Sequence, residues 1–146
     1  MRKLPEVDEA KALMTEAMEW SVMKWLREKK KVRKTADRAN DALNQLSQET
    51  RSLWPAKSKN AYEALAKKPG PGSQTDAETL NAVKQVRKAD EEALNAHNDA
   101  ETTFDEAERQ LSTMMAREGC RKAIYSWELH EKAIRMSERL INSQRE

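Results

Sequence analysis

The sequence predicts an all-α protein: a long antiparallel, coiled-coil-like helical hairpin, with a shorter C-terminal helix that thickens one end into a three- or four-helix bundle. Alanine-rich heptad stretches flank a Pro-Gly-Pro-Gly break at 69–72, and the chain has only 3 glycines. A basic run at 27–38 and an acidic stretch at 99–108 mirror each other across this break. Folding the chain back at the break brings these opposite charges together, which favours an antiparallel register.

The N-terminal half predicts one long helix over about 5–54. Pro5 suits the first turn of a helix, where its missing N–H has no partner to lose. Apolar residues then recur with 4-3 spacing over several heptads, which is typical of a coiled-coil seam. Pro55 ends the pattern because the residue before a proline is pushed out of helical geometry. A short helix over about 57–67 follows it.

The C-terminal half predicts a loop at 68–75 and two further helices. Thr75 begins a capping box that starts a helix over about 76–118, again with 4-3 apolar spacing. Gly119 permits a break, and the pattern resumes over about 120–143 with an apolar arc that is too wide for one seam. The last helix should therefore pack against more than one neighbour.

Composition indicates one elongated helical domain over 1–146, inside the cell. The chain is 36% charged with a net charge of +2, so its global charge does not demand an anionic partner. Cys120 is alone, which excludes an intramolecular disulfide and a cysteine-based zinc site. A hydrophobic signal region and a membrane-spanning stretch are both lacking, and we expect a cytoplasmic protein with no membrane contact.

The residues with catalytic or ligating chemistry form no recognisable constellation. His97 and His130 are the only histidines, and neither follows a glutamate by three residues as in di-iron bundles. Cys120 has cationic neighbours but no paired base, and the Pro/Gly break lacks the pattern of a phosphate-binding loop. We predict no catalytic residue, cofactor, metal or small-molecule substrate, and therefore a protein that is not an enzyme.

Bulky apolar residues collect at the end of the hairpin that lies away from the Pro/Gly break, and we call this end the head. They expose more apolar surface than two helices can hide, so a third helix or another chain should cover it. We predict a helical interaction, scaffold or adaptor protein whose head binds a protein partner or a second copy, with a dimer favoured. The predicted interface residues are Met14, Met18, Trp20, Trp25, Trp127 and Met136.

The basic run supports an alternative function. Residues 27–34 hold six basic side chains and one acidic one. Internal pairing with 99–108 is the favoured interpretation, and the alternative is an exposed patch that binds nucleic acid or an anionic surface. Base stacking is not expected, because no aromatic residue interrupts the run. The candidate anion-binding residues are Lys29, Lys30, Lys31, Arg33, Lys34 and Arg38.

Overall fold

The computed structural model describes residues 1–66 and 77–143, and every regular element in these ranges is an α-helix. The all-α prediction is therefore confirmed for the described residues. The loop predicted at 68–75, with its Pro/Gly break, lies outside them. In chain order the helices are α1 (Pro5–Ala17), α2 (Val22–Ser52), α3 (Ala56–Ala66), α4 (Ala77–Gln110) and α5 (Thr113–Ser143).

The helices pack as a bundle in which α5 is central. The most extensive contact joins α4 and α5; α5 also packs against α1 and α2, and α3 packs against α4. The backbones of α2 and α4 lie further apart and are linked mainly through side chains. The largest fully buried side chains come from α1, α2, α4 and α5: Val7, Met14, Trp25, Val32, Leu43, Phe104, Trp127 and Ile134.

The single helix predicted over 5–54 is wrong, because the chain turns at 18–21 between α1 and α2. Ser21 is the N-cap of α2, and its hydroxyl accepts a hydrogen bond from the Lys24 N–H at 3.2 Å. This capping satisfies an amide that the first helical turn leaves unpaired. The turn lays α1 back against α2 and α5, so that tertiary burial outweighs the helical pattern that continues through the turn.

The second reversal occurs at 111–112, and not near Gly119 as the sequence suggested. Leu111 adopts a left-handed conformation with φ of 52°, a role usually taken by glycine at a helix C-terminus. The Ser112 N–H reaches back to the Ala107 carbonyl at 3.2 Å, closing the end of α4. The Ser112 hydroxyl then caps α5 by accepting from the Met115 N–H at 3.2 Å.

Gly119 lies within α5, where it brings α5 close to α4. A Cβ atom built on this glycine would lie 2.7 Å from Cδ1 of Phe104 and 2.8 Å from Cε1. Both distances are shorter than ordinary carbon–carbon contact. The Phe104 ring is itself 1% exposed and stacks against Trp25. The glycine therefore serves close helix packing, and the chain continues through it as a single helix.

Replacing Gly119 by Ala should lower the free energy of unfolding by about 1–2 kcal/mol, because the new methyl group overpacks a buried ring. This steric cost should exceed the gain of about 1 kcal/mol in helix propensity that alanine brings. Urea denaturation followed by circular dichroism measures the difference.

The control is the same substitution in a Phe104→Leu background. There the branched side chain can turn away, and Gly119→Ala should become neutral or raise the free energy of unfolding by up to about 1 kcal/mol. Equal destabilisation in both backgrounds would contradict the proposed steric cause.

Candidate functional site

Most of the side chains predicted to form an interface lie in the core of the bundle. Met14, Trp20, Trp25 and Trp127 are all buried, with between 0% and 8% of each residue exposed. The Trp25 ring stacks on Phe104 with a centroid separation of 6.5 Å. The apolar excess at the head is thus covered by other helices of the same chain, and these four residues do not lie on a surface that a partner can reach.

Met18 and Met136 are both partly buried, but they belong to opposite ends of the molecule. Met18 packs near the start of α2 and α5, at the head. Met136 packs against a second cluster around Trp54, at the other end. The predicted grouping of Met136 with the head is wrong because α5 begins at Thr113, which places Met136 about 35 Å further along that helix.

A smaller apolar surface remains exposed at the head. Met23 is 66% exposed, Leu111 61% and Met114 80%. Met18 and Met114 also line an open groove, together with charged side chains. We call Met18, Met23, Leu111 and Met114 the head surface; at this end of the bundle this set, and not the tryptophans, is available for an apolar contact.

The basic run forms an exposed ridge along α2. Four cations recur at positions i, i+4, i+7 and i+11, starting at Arg27, and a fifth, Lys30, lies beside them at i+3, which places all five on one helical face over about 16 Å. That face is opposite the buried residues Val32, Ala36 and Ala39. All five cations are exposed, and within the described residues none of them forms an ion pair. We define the basic ridge as Arg27, Lys30, Lys31, Lys34 and Arg38.

Arg33 is the member of the run that pairs internally. Its Nη2 lies 2.6 Å from a carboxylate oxygen of Glu101, and its Nη1 lies 2.7 Å from Asp105 and 3.2 Å from Glu108. Burial alone would lower the pKa of Arg33, but these hydrogen bonds raise it above its usual value. The predicted pairing between the basic run and the acidic stretch is therefore found at Arg33. Lys29 is partly buried, and the five residues of the ridge are exposed.

A polar pocket between α2, α4 and α5 was not predicted from the sequence. It has a volume of about 220 Å³, and each of the three helices contributes polar side chains to its walls. Both histidines of the chain meet there. We define the polar pocket by six of its lining residues: Asn40, Asn44, Arg51, Asp90, His97 and His130.

The pocket holds two titratable groups whose pKa values are shifted by burial. Burial raises the pKa of Asp90, although Arg51 and the Tyr62 hydroxyl beside it favour the ionised form. Its Oδ2 atom is buried and has no hydrogen-bond partner. Burial, with the nearby charges of Arg51 and His97, lowers the pKa of His130 to about 4. His130 is therefore a neutral hydrogen-bonding group at pH 7.

The sequence does contain a weak signal for this pocket. On α2, Asn40, Asn44, Ser47 and Arg51 recur at i, i+4, i+7 and i+11, so they share one face of the helix. In a chain that is 36% charged, such a stripe looks the same as an ordinary solvated face. Only the packing of α2 beside α4 and α5 shows that this stripe lines a cavity.

Cys120 has no features of a reactive thiol. It is fully buried in the main core, and burial raises its pKa to about 12. At neutral pH the thiolate, which is the nucleophilic form, is therefore hardly populated. The cysteine packs as a small apolar residue beside Gly119.

In the described part of the chain, no three His, Cys, Asp or Glu residues are grouped so as to hold a metal ion. Across the same residues, no helix combines the length and apolar character that a membrane span requires. Comparison with family models, curated proteins and solved structures returns no match for this chain.

Replacing His130 by Gln should reduce the pH dependence of stability between pH 6.5 and 4. His130 has a pKa of about 4 in the fold and 6.5 in the unfolded chain, so the unfolded state binds more protons in this window. Its contribution is fully present above pH 6.5 and is lost as the pH falls towards 4, by on the order of 2 kcal/mol. Urea denaturation at several pH values measures the slope, and equal slopes for wild type and variant would refute the assignment.

Proposed function

We propose that this chain is a non-enzymatic, intracellular helical binding protein that uses the basic ridge to contact the phosphate backbone of a nucleic acid. One observation supports this most directly: five aligned cations are exposed on α2 without an ion pair in the described residues. A protein that used these charges only to fix its own fold would pair them, as it pairs Arg33.

The chemistry of the ridge favours phosphate over other anionic partners. Binding to nucleic acid can be driven by charge alone, through release of condensed counterions. A stable protein interface generally needs an apolar centre, and a membrane-surface helix needs large apolar residues flanking its cations. The centre of the ridge has neither, and Met23, one turn before Arg27, is a single exposed apolar residue at its end. Because it also lacks aromatic residues, we expect contact with a duplex backbone, without base stacking or sequence preference.

Ion pairs between side chains of α2 and α4 support this role. Arg33 pairs with residues late in α4, whereas Arg51 lies 3.8 Å from Asp90, much earlier in that helix. This order supports the predicted antiparallel arrangement of the two helices, which we retain as part of the proposal. A helix held in this way presents its cations without an ordering cost for the backbone at the moment of binding.

Replacing Lys31, Lys34 and Arg38 together by Gln should weaken binding to a 20-base-pair duplex at least tenfold at low salt. Each lost phosphate contact removes about 0.9 from the slope of log affinity against log salt, so the slope should fall by about 2 to 3. Fluorescence anisotropy over a salt series, with two unrelated duplex sequences, measures both quantities.

The matched control replaces Lys132, Arg135 and Arg139 by Gln. This triple substitution removes the same charge, at the same spacing, from exposed positions of α5. However, this part of α5 carries acidic residues among the basic ones. The substitution should leave the affinity within about threefold of the wild type. Equal weakening by both triple variants would show that net charge, and not the ridge, controls binding. Undetectable binding of the wild type at low salt would reject the proposal.

A second candidate is self-association through the head surface, with a second copy of the chain as the occupant. The exposure of Met23, Leu111 and Met114 at one end supports it, because flexible methionines adapt readily to an apolar partner. Two copies joined through their head surfaces would form a symmetric dimer, which could act as a scaffold or adaptor.

Replacing Met23 and Met114 by Ser should shift a monomer–dimer equilibrium towards monomer by at least tenfold in dissociation constant, because each change removes apolar area from the contact. Sedimentation equilibrium measures this shift. Leu53→Ser is the control, since Leu53 is 68% exposed at the other end of α2. A wild-type chain that stays monomeric at high concentration would eliminate this candidate.

A further inference from the structure

We infer that the polar pocket binds a small oxyanion, carrying a carboxylate or phosphate group, with Arg51 as its anchor. The pocket lies on the inner side of α2, away from the basic ridge, and has walls from three helices. Its volume of about 220 Å³ accommodates inorganic phosphate or a short carboxylic acid. Because Asn40, Asn44 and Arg51 lie on a different face of α2 from the ridge cations, this site is separate from the one proposed above.

The Arg51 guanidinium is fixed on one side and available on the other. Its Nη1 donates to the Tyr62 hydroxyl at 3.1 Å, and its central carbon lies 5.4 Å from the centroid of the Tyr62 ring. The same Nη1 is 3.8 Å from Asp90 Oδ2, which is too long for a hydrogen bond. Within the described residues Nη2 and Nε form no hydrogen bond or ion pair. These two nitrogens form one edge of the planar fork that binds carboxylate and phosphate with two hydrogen bonds.

Further donors line the same space. The carbonyl oxygen of Asn40 already accepts from Trp127 Nε1 at 2.7 Å, which leaves the Asn40 amide N–H groups to donate. Asn44 supplies a second side-chain amide from the next turn of α2. His97 and His130 provide ring nitrogens from α4 and α5. A single guanidinium with several neutral donors is a typical arrangement for orienting a small anion.

Asp90 determines how the site responds to pH. The charged and titratable groups that act on it are Arg51 on α2, Tyr62 on α3 and Glu91 on α4, and His97 and His130 line the same pocket from α4 and α5. Burial already penalises the ionised form of Asp90, and an anion beside it adds repulsion. Binding should therefore take up a proton at Asp90 or His130, and affinity should rise as the pH falls from 7 to 5.

The test is isothermal titration of the full chain with inorganic phosphate and, separately, with succinate. We expect saturable binding of at least one of them, at one site per chain, with an affinity that increases at lower pH. Arg51→Met should weaken it at least tenfold, and Arg51→Lys should restore part of the loss. Asp90→Asn should strengthen binding, because it removes the repelling charge and keeps a side chain of the same shape.

Arg109→Met is the control, since Arg109 is 70% exposed on its side chain and lies outside the pocket. Circular dichroism and a melting curve establish that each variant is folded; if Arg51→Met is not, Arg51→Lys and Asp90→Asn decide the result. Absence of saturable binding by both probes overturns the inference. So does weaker binding in Asp90→Asn, which would indicate a cationic ligand. The variant with Lys31, Lys34 and Arg38 replaced by Gln keeps Arg51. If this variant no longer binds the small anion, the anion binds at the ridge, which overturns the inference about the pocket but not the proposal about the ridge.

Discussion

The contact between Phe104 and Gly119 sets the spacing on which the rest of the bundle depends. The missing side chain at Gly119 lets α5 approach the ring of Phe104 more closely than any other residue type would allow. Two residues of α2 also contact the ring: Trp25 stacks on it, and the Arg33 guanidinium carbon lies 5.8 Å from its centroid. One aromatic side chain thus ties three helices together. Because interiors are close-packed, a shift at this point would be felt along all three.

The same contact explains why a cavity lies further along the bundle. The α4 and α5 backbones are drawn together, whereas α2 is held away from α4 by the thickness of aromatic and arginine side chains. Beyond this region the facing residues of α2 become short and polar, such as Asn40 and Asn44, and cannot fill the remaining space. Trp54 then closes the far end by donating from Nε1 to the Ser137 hydroxyl at 2.8 Å. The polar pocket lies between these two closed regions.

Sequence patterns predicted the helices better than the turns between them. Helical periodicity and the lack of glycine and proline predicted an all-α bundle, and the described residues bear this out. Both tight reversals were missed because neither uses the residues that normally mark a turn. Leu111 takes a conformation with φ of 52° that leucine seldom adopts, and Ser21 and Ser112 act as caps without any flanking glycine. Once α5 begins at Thr113, the aromatic residues predicted at the surface become core.

The sequence predicted that the two long helices carry opposite charges, but not which of the charged side chains form ion pairs. Opposite charges in the two long helices suggested mutual neutralisation, yet position around a helix decides which side chains meet. At 100° per residue, Arg33 lies about 120° around α2 from the centre of the ridge, on the side that faces α4. It alone reaches Glu101, Asp105 and Glu108. The cations of the basic ridge point away from those carboxylates, so a chain with a net charge of only +2 still carries concentrated positive charge along one face of α2. Net charge therefore says little about where the charges lie, and the angular position of each residue on α2 decides which of them pair.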